Sequence, residues 1–369
     1  MTHITRRPVN ATLELTVRCN LSCKMCLVRR SAEDISSSGT NELNADQWLS
    51  LAREMLNAGT LSLLITGGEP MLRSDFSKIY SGIASMGFIT SLYTNATLLT
   101  PEICSVLEKH PPHKIGVTVY GASPETYGRV CGNSGAYEKM KNGVGFLKRL
   151  PSVMSLRTTI IKDNLCDLER IREFAVETAI SAGKKIPFNI SRFVTKPVRG
   201  AKADVDSVRL SPEENIKMLF GSAKELIQKL YMDNSEAAEK FIQREKCISE
   251  EDQEKLNSSE TCMYGCSAGI NSFTVSWDGK LYGCQLLSDV YTLPLESGFI
   301  KAWEELPEKV VCSSVPERCK KCELSQNCVA CPATRLAETG MLDGCPEYTR
   351  QEAVYMKKLI TDTLQKTKL

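Results

Sequence analysis

Between residue 11 and about residue 191 the chain repeats one pattern, a short apolar run of strand length followed by a longer segment with apolar residues at helical spacing. The strand candidates are residues 11–18, 61–66, 89–94, 114–120, 154–161 and 186–191, and the helix candidates between them are 45–58, 74–86, 100–109, 135–149 and 165–181. Strands joined by helices pair in parallel, because each crossover returns the chain to the same end of the sheet. Six such units predict an α/β fold, a partial (β/α)6 barrel of TIM type. Ligands in such folds bind at the carboxyl ends of the strands.

The 369 residues exceed one barrel of this size, and their character changes twice. Residues 1–200 hold the repeating pattern. Residues 201–260 are rich in Lys, Glu and Asp, with a helix start at Ser211-Pro212-Glu213-Glu214, and read as a helical connector. Residues 261–369 read as a small cysteine-rich α+β domain closed by a helix over 347–366. Residues 262–345 hold nine of the sixteen cysteines with few long apolar segments, so metal rather than a large core would hold this part together.

Lys and Arg number 46 against 44 Asp and Glu, and neither sign gathers into a run, which argues against nucleic acid as a partner. No apolar run reaches membrane-spanning length and no export signal opens the chain, so a cytoplasmic protein without a membrane partner is expected. Sixteen cysteines in a reducing compartment point to metal ligation rather than disulfides. With only His3, His110 and His113 present, a histidine triad or His-rich zinc site has little material.

Cys19, Cys23 and Cys26 end the first strand candidate, spaced three and then two residues apart. Four-iron clusters normally take four thiolates, so three in one loop leave an iron open to another ligand. A three-cysteine zinc site is the alternative, although structural zinc closes with four ligands. The second strand candidate ends in Thr66-Gly67-Gly68-Glu69-Pro70, where two glycines permit close backbone approach. Taken alone, that stretch could simply be a strand-ending turn.

Together the two motifs resemble those of radical S-adenosylmethionine (SAM) enzymes. The resemblance implies that Cys19, Cys23 and Cys26 hold a [4Fe-4S] cluster whose open iron is chelated by SAM. Gly67, Gly68, Glu69 and Pro70 would bind the SAM amino group, and Met25 would lie against the adenine. Asn95, in Tyr93-Thr94-Asn95, and Thr118, in Thr118-Val119-Tyr120-Gly121-Ala122, are similar to positions that contact the ribose or methionine part. Arg157, on the fifth strand candidate, could pair with the SAM carboxylate.

Further on, Cys266, then Gly279-x4-Cys284, then Cys319-x2-Cys322-x5-Cys328-x2-Cys331 and finally Cys345 resemble the SPASM extension of peptide-modifying radical SAM enzymes. That resemblance implies two auxiliary [4Fe-4S] clusters, one on Cys262, Cys266, Cys284 and Cys331 and one on Cys319, Cys322, Cys328 and Cys345, three clusters in all. The chain departs from the family in having two residues rather than three between Cys328 and Cys331, and the Cys262 to Cys266 spacing leaves the role of Cys262 open. Without Cys262 the first auxiliary cluster would keep an open iron for a substrate thiolate. Two zinc knuckles are the alternative reading of the Cys-x2-Cys pairs.

The family also implies an external electron donor of flavodoxin or ferredoxin type. Its sulfatase-maturing branch uses an aspartate where this chain has Gln285, and a neutral amide cannot act as that base. The resemblance implies thioether or other cross-link formation in a ribosomally made peptide, with a sulfatase-maturing activity as a disfavoured alternative. Epimerisation or oxidation of a peptide or small molecule is the alternative, with Cys131 or Cys166 as a hydrogen donor, and a non-catalytic iron-sulfur or zinc scaffold is the alternative of another class. The first strand candidate opens at residue 11, so leader-peptide binding, where required, is expected from a separate protein or from another surface.

Overall fold

The computed structural model describes residues 6–37, 39, 41–218, 266–309 and 316–366. The chain divides into two compact units, Met1–Arg209 with Cys266–Val311, and Leu210–Gly265 with Cys312–Leu369.

The first unit is built on a nine-stranded sheet of order β6-β5-β4-β3-β2-β1-β7-β8-β9. Its strands are β1 (Asn10–Glu14), β2 (Ser62–Thr66), β3 (Ile89–Thr94), β4 (Lys114–Thr118), β5 (Val153–Thr159), β6 (Phe188–Ser191), β7 (Ser272–Val275), β8 (Leu281–Tyr282) and β9 (Tyr291–Thr292). The first six are parallel and in chain order, the partial barrel that the repeating pattern predicts. β7 adds in parallel to the free edge of β1, and β8 and β9 follow antiparallel. Residues 266–309 thus extend the barrel sheet.

Side chains alternate along each strand, and the alternation sorts them chemically. Leu13, Leu63, Ile65, Leu92, Ile115, Val117 and Leu156 are buried on one face. Trp48, Leu51, Ala52 and Met55 form the buried stripe of the helix Ala45–Asn57, and each large one contributes about 2 kcal/mol by leaving water. Asn44 caps that helix in a reciprocal box with Gln47. The other face of the sheet is mostly polar, with Thr12, Thr66, Ser91, Tyr93, Thr118, Arg157 and Thr159 half-buried beside Leu64, and Glu14 and Ser155 buried. A face of this kind is suited to a ligand rather than to a core.

All five expected barrel helices form, and between the six barrel strands two more lie at Ala32–Ser37 and Pro124–Cys131. Both are too short for apolar periodicity to reveal. The second is marked instead by its ends, with Ser123 accepting from the Thr126 N–H, Pro124 in the first turn and Gly132 at φ 70°.

In the second unit a helix runs over 212–218, where Ser211 and Glu214 make the reciprocal cap read from the sequence. The closing helix spans Glu347–Lys366. Asn215 donates to Glu352 (2.5 Å) and the Tyr348 hydroxyl to the Leu210 carbonyl (3.0 Å), which fastens these two helices to each other. Most of the expected connector, and Cys247, Cys262 and Cys312, lie outside the described residues. Among the described residues no helix is long and apolar enough to cross a membrane.

Candidate active site

β1 and β2 are adjacent and parallel, with Glu14 opposite Thr66, so the loops at their carboxyl ends meet. These loops carry the two motifs. Gly68 N–H donates to the Thr16 carbonyl (2.6 Å) and Glu69 N–H to the Arg18 carbonyl (2.9 Å), which lays the glycine turn directly on the residues leading into Cys19. A Cβ on Gly67 would sit 2.4 Å from the Thr16 oxygen, and one on Gly68 would sit 2.1 Å from the Arg18 oxygen. Gly67 also has φ 145°, a backbone conformation that side chains disfavour. The sequence motif therefore needs its glycines first to admit the backbone of the cysteine loop.

Glu69 is fully buried and accepts from Met71 N–H (3.2 Å), the Thr94 hydroxyl (2.9 Å) and Asn95 N–H (2.8 Å). It clamps the end of β2 to the end of β3. Burial raises its pKa to about 7, with the Asn95, Thr94 and Met71 donors opposing the rise. An acid whose folded pKa lies above its unfolded value makes the protein most stable below the unfolded value, and that stability falls as pH climbs toward the folded one. Cluster-free protein is expected to lose roughly 3 kcal/mol between about pH 4.5 and 7 from this group, and Glu69→Gln to flatten that slope in urea denaturation. An unchanged slope would show that another group sets it.

Asn95 extends the same clamp to the cysteines. Its side-chain amide donates to Asn20 Oδ1 (3.0 Å) and reaches Cys19 Sγ at 3.8 Å, while its own Oδ1 accepts from Thr97. Cys19 Sγ also accepts from Leu21 N–H, and Cys26 Sγ from Arg29 N–H. Met25 is buried among Val130, Ile161, Val194, Val205 and Val208. Arg157 stacks on the Tyr93 ring at 4.2 Å, across Gly116, whose missing side chain leaves the room. Thr118 is the register partner of Arg157 on β4.

Three groups of supporting residues carried no recognisable motif. Arg73 is buried, donates to the Leu15 and Leu43 carbonyls and pairs with Asp75 and Glu42, while Arg18 pairs with the same Glu42 at 2.8 Å. Glu14, at the end of β1, forms a buried two-point pair with Arg199 (2.5 and 2.9 Å). Cys131 is fully buried and sits against Cys23, whereas Cys166 is exposed. Such pairings join residues far apart in sequence and only the fold brings them together.

Residues 13–175 match the Radical SAM superfamily. Those residues form a radical SAM domain. The chain is 29% identical over 354 residues to an AdoMet-dependent heme synthase of Methanosarcina barkeri, covering 92% of this chain and 95% of that one. It is 27% identical over 169 residues to a PqqA peptide cyclase of Rhizobium meliloti, covering 46% of this chain and 44% of the relative. The fold is that of Streptococcus suis SuiB, seen bound to its precursor peptide SuiA, with TM-score 0.65 over 94% of this chain and 76% of that chain at 15% identity.

A radical SAM fold implies a [4Fe-4S] cluster and SAM. The donor set fits that cluster. Burial pushes Cys19 up to about 12, Cys131 and burial raise Cys23, and burial raises Cys26. Protonated thiols in an apolar loop become thiolates only when cationic metal arrives, so loading releases protons.

In the first unit Cys266 is exposed and Cys284 half-buried. In the second unit Cys328 has Cys345 and Cys319 as electrostatic neighbours, and Arg350 lies near Cys345 and Cys322. Cys331 caps the helix Pro332–Thr339, and buried Arg335 bonds the Ala330 and Gly344 carbonyls, holding the segments before Cys331 and Cys345 together. Among the described residues no three Cys, His, Asp or Glu side chains are arranged as a site for one metal ion.

Proposed function

We propose that this enzyme cleaves SAM reductively at Cys19, Cys23 and Cys26 and uses the radical to modify a ribosomally made peptide, by thioether or other cross-link formation. The observation that carries the SAM half is the seating of Gly67–Pro70 on the loop that leads into Cys19. Cys19, Cys23 and Cys26 would hold the cluster, which would supply the electron for that cleavage. The protein's part is to hold the reacting groups still. Asn95 and Leu21 orient Cys19, Glu69 fixes the ends of β2 and β3, and Gly67 to Pro70 offer the surface for the SAM amino group.

Arg157 has no ion-pair partner among the described residues and stands on the polar face, which supports its assignment to the SAM carboxylate. Arg157→Gln is expected to weaken SAM binding roughly 10- to 100-fold, the worth of a charge-assisted contact. Unchanged SAM affinity in equilibrium dialysis would move Arg157 to the substrate.

The peptide reading rests on the SPASM-like cysteines and on the peptide cyclase and SuiB similarities. Cys319, Cys322, Cys328 and Cys345 would hold one auxiliary cluster in this reading, and Cys266, Cys284, Cys331 and Cys262 are proposed for the other. Partners would be the peptide, a flavodoxin or ferredoxin and a separate leader-binding protein. A second reading, a tetrapyrrole substrate, is favoured by the heme synthase relative, whose similarity runs nearly the whole chain. Mass spectrometry separates them. Loss of two hydrogens from a short precursor peptide encoded beside this gene, after anaerobic co-expression, supports the first, whereas an unaltered peptide and conversion of an iron tetrapyrrole to heme support the second.

A further inference from the structure

Asn95 follows directly on β3, and its side-chain amide has every hydrogen-bonding position filled. Its Oδ1 accepts from the Thr97 N–H (3.0 Å) and the Thr97 hydroxyl (2.5 Å), and its Nδ2 donates to Asn20 Oδ1 (3.0 Å) and to Cys19 Sγ (3.8 Å). Asn20 Nδ2 closes a ring by donating to the Thr97 hydroxyl oxygen at 2.8 Å. An amide of this kind accepts twice and donates twice, so none of its hydrogens is left for SAM. The ring also settles which way the amide points. A backbone N–H can only donate, so the Asn95 atom beside Thr97 is the oxygen and the one facing Cys19 is the nitrogen. Local backbone holds this in place. Ala96 has φ 58°, a turn that brings Thr97 back onto Asn95, and a Cβ on Gly143 would sit 2.0 Å from the Ala96 oxygen. Asn95 and Thr97 are both buried. Cys26 Sγ, by contrast, takes a donor from its own loop, the Arg29 N–H.

We infer that Asn95, held by Asn20 and Thr97, is a positioning residue that sets the reduction potential of the cluster through the Cys19 sulfur, rather than a contact to SAM. The inference rests on the reading of Cys19 as a cluster ligand. A hydrogen bond to a ligating thiolate draws charge from the sulfur and stabilises the reduced, more negative cluster, raising its potential. Asn95 is buried, so this donor counts for more than it would in water. The Cys19 thiol donates to Asn20 Oδ1 at 4.0 Å, a bond that a ligating thiolate cannot make. The Asn95 amide is then the donor that the sulfur and the Asn20 oxygen share.

The test is Asn95→Leu in the anaerobic full-length holoenzyme, which keeps the shape of the side chain and removes the donor. EPR-monitored redox titration, with the motif cluster identified as the signal that SAM perturbs, is expected to show a lower midpoint. At a fixed solution potential near the wild-type midpoint, the ratio of reduced to oxidised cluster should fall about tenfold, which is about 59 mV for one electron. SAM affinity in equilibrium dialysis should stay at the wild-type value. Thr97→Val, which opens the ring but keeps Asn95, should lower the midpoint by less, and Thr97→Ser, which keeps the hydroxyl, should restore it. The Thr97 pair decides the matter should Asn95→Leu not fold. A full iron load with the wild-type midpoint in both Asn95→Leu and Thr97→Val would overturn the inference alone, as would weakened SAM binding at an unchanged midpoint. A wild-type protein with no SAM-sensitive signal would overturn the ligand assignment and the inference with it.

Discussion

A chain with Cys19, Cys23 and Cys26 all replaced by Ala forms no 5′-deoxyadenosine from SAM after reduction, a fall of at least about 10³-fold, equivalent to about 4 kcal/mol of barrier. It also binds about four fewer irons than the wild type, while iron at the C-terminal cysteines stays. The loop itself survives the change, because its place is fixed by backbone bonds from Ser22 and Lys24 to Cys131 and Val130 and by the Arg18–Glu42 pair, none of which uses a sulfur. Product chromatography and iron analysis read the two halves separately. Loss of all iron would contradict a motif cluster independent of the C-terminal sites, and retained SAM cleavage would remove the three cysteines from the reaction.

Gly68→Ala is expected to be nearly as damaging without touching any reacting group. Its Cβ would lie 2.1 Å from the Arg18 oxygen and 2.7 Å from the Arg18 carbonyl carbon, both backbone atoms one residue before Cys19. The turn cannot retreat without breaking the bonds from Gly68 and Glu69 to Thr16 and Arg18. A clash of this kind should cost at least about 3 kcal/mol, lowering the melting temperature by roughly 5 °C. SAM cleavage should fall with it as the cysteine loop is displaced. Gly145→Ala is the control, because it is helical, has no atom within 4 Å of the added Cβ and should be neutral or slightly stabilising. Equal melting temperatures for the two variants would mean that the loop yields more readily than its geometry indicates.

The two readings of function place the same demand on the polar face of the sheet. Arg157 stacked on Tyr93 is a cation on that face, whereas Glu14 on the same sheet is neutralised by Arg199. Either a peptide or a tetrapyrrole could bring a carboxylate to such a face.

Much of the barrel was legible because strand and helix periods are local properties. The six strands from β1 to β6 and the helices from Ala45 to Ala182 follow from where apolar residues fall every second or every third to fourth position. Short helices escaped for the same reason, since Pro124–Cys131 offers eight residues and too few turns for a period to emerge. β7 to β9 escaped differently. They are four, two and two residues long, and only their pairing onto β1 makes them part of the barrel sheet.

By itself the sequence determined the chemistry on offer: three thiols at a strand end, a glycine turn after the next strand, and a parallel sheet that puts both at one rim. What the tertiary structure alone decided is what those residues lean on. Gly68 is required by the carbonyl of Arg18, and Asn95 reaches Cys19 from a strand end 76 residues away. Spacing along a chain fixes which ligands can share a loop, but the hydrogen bonds that tune a ligand come from whichever segments the fold packs beside it, and no local period records that.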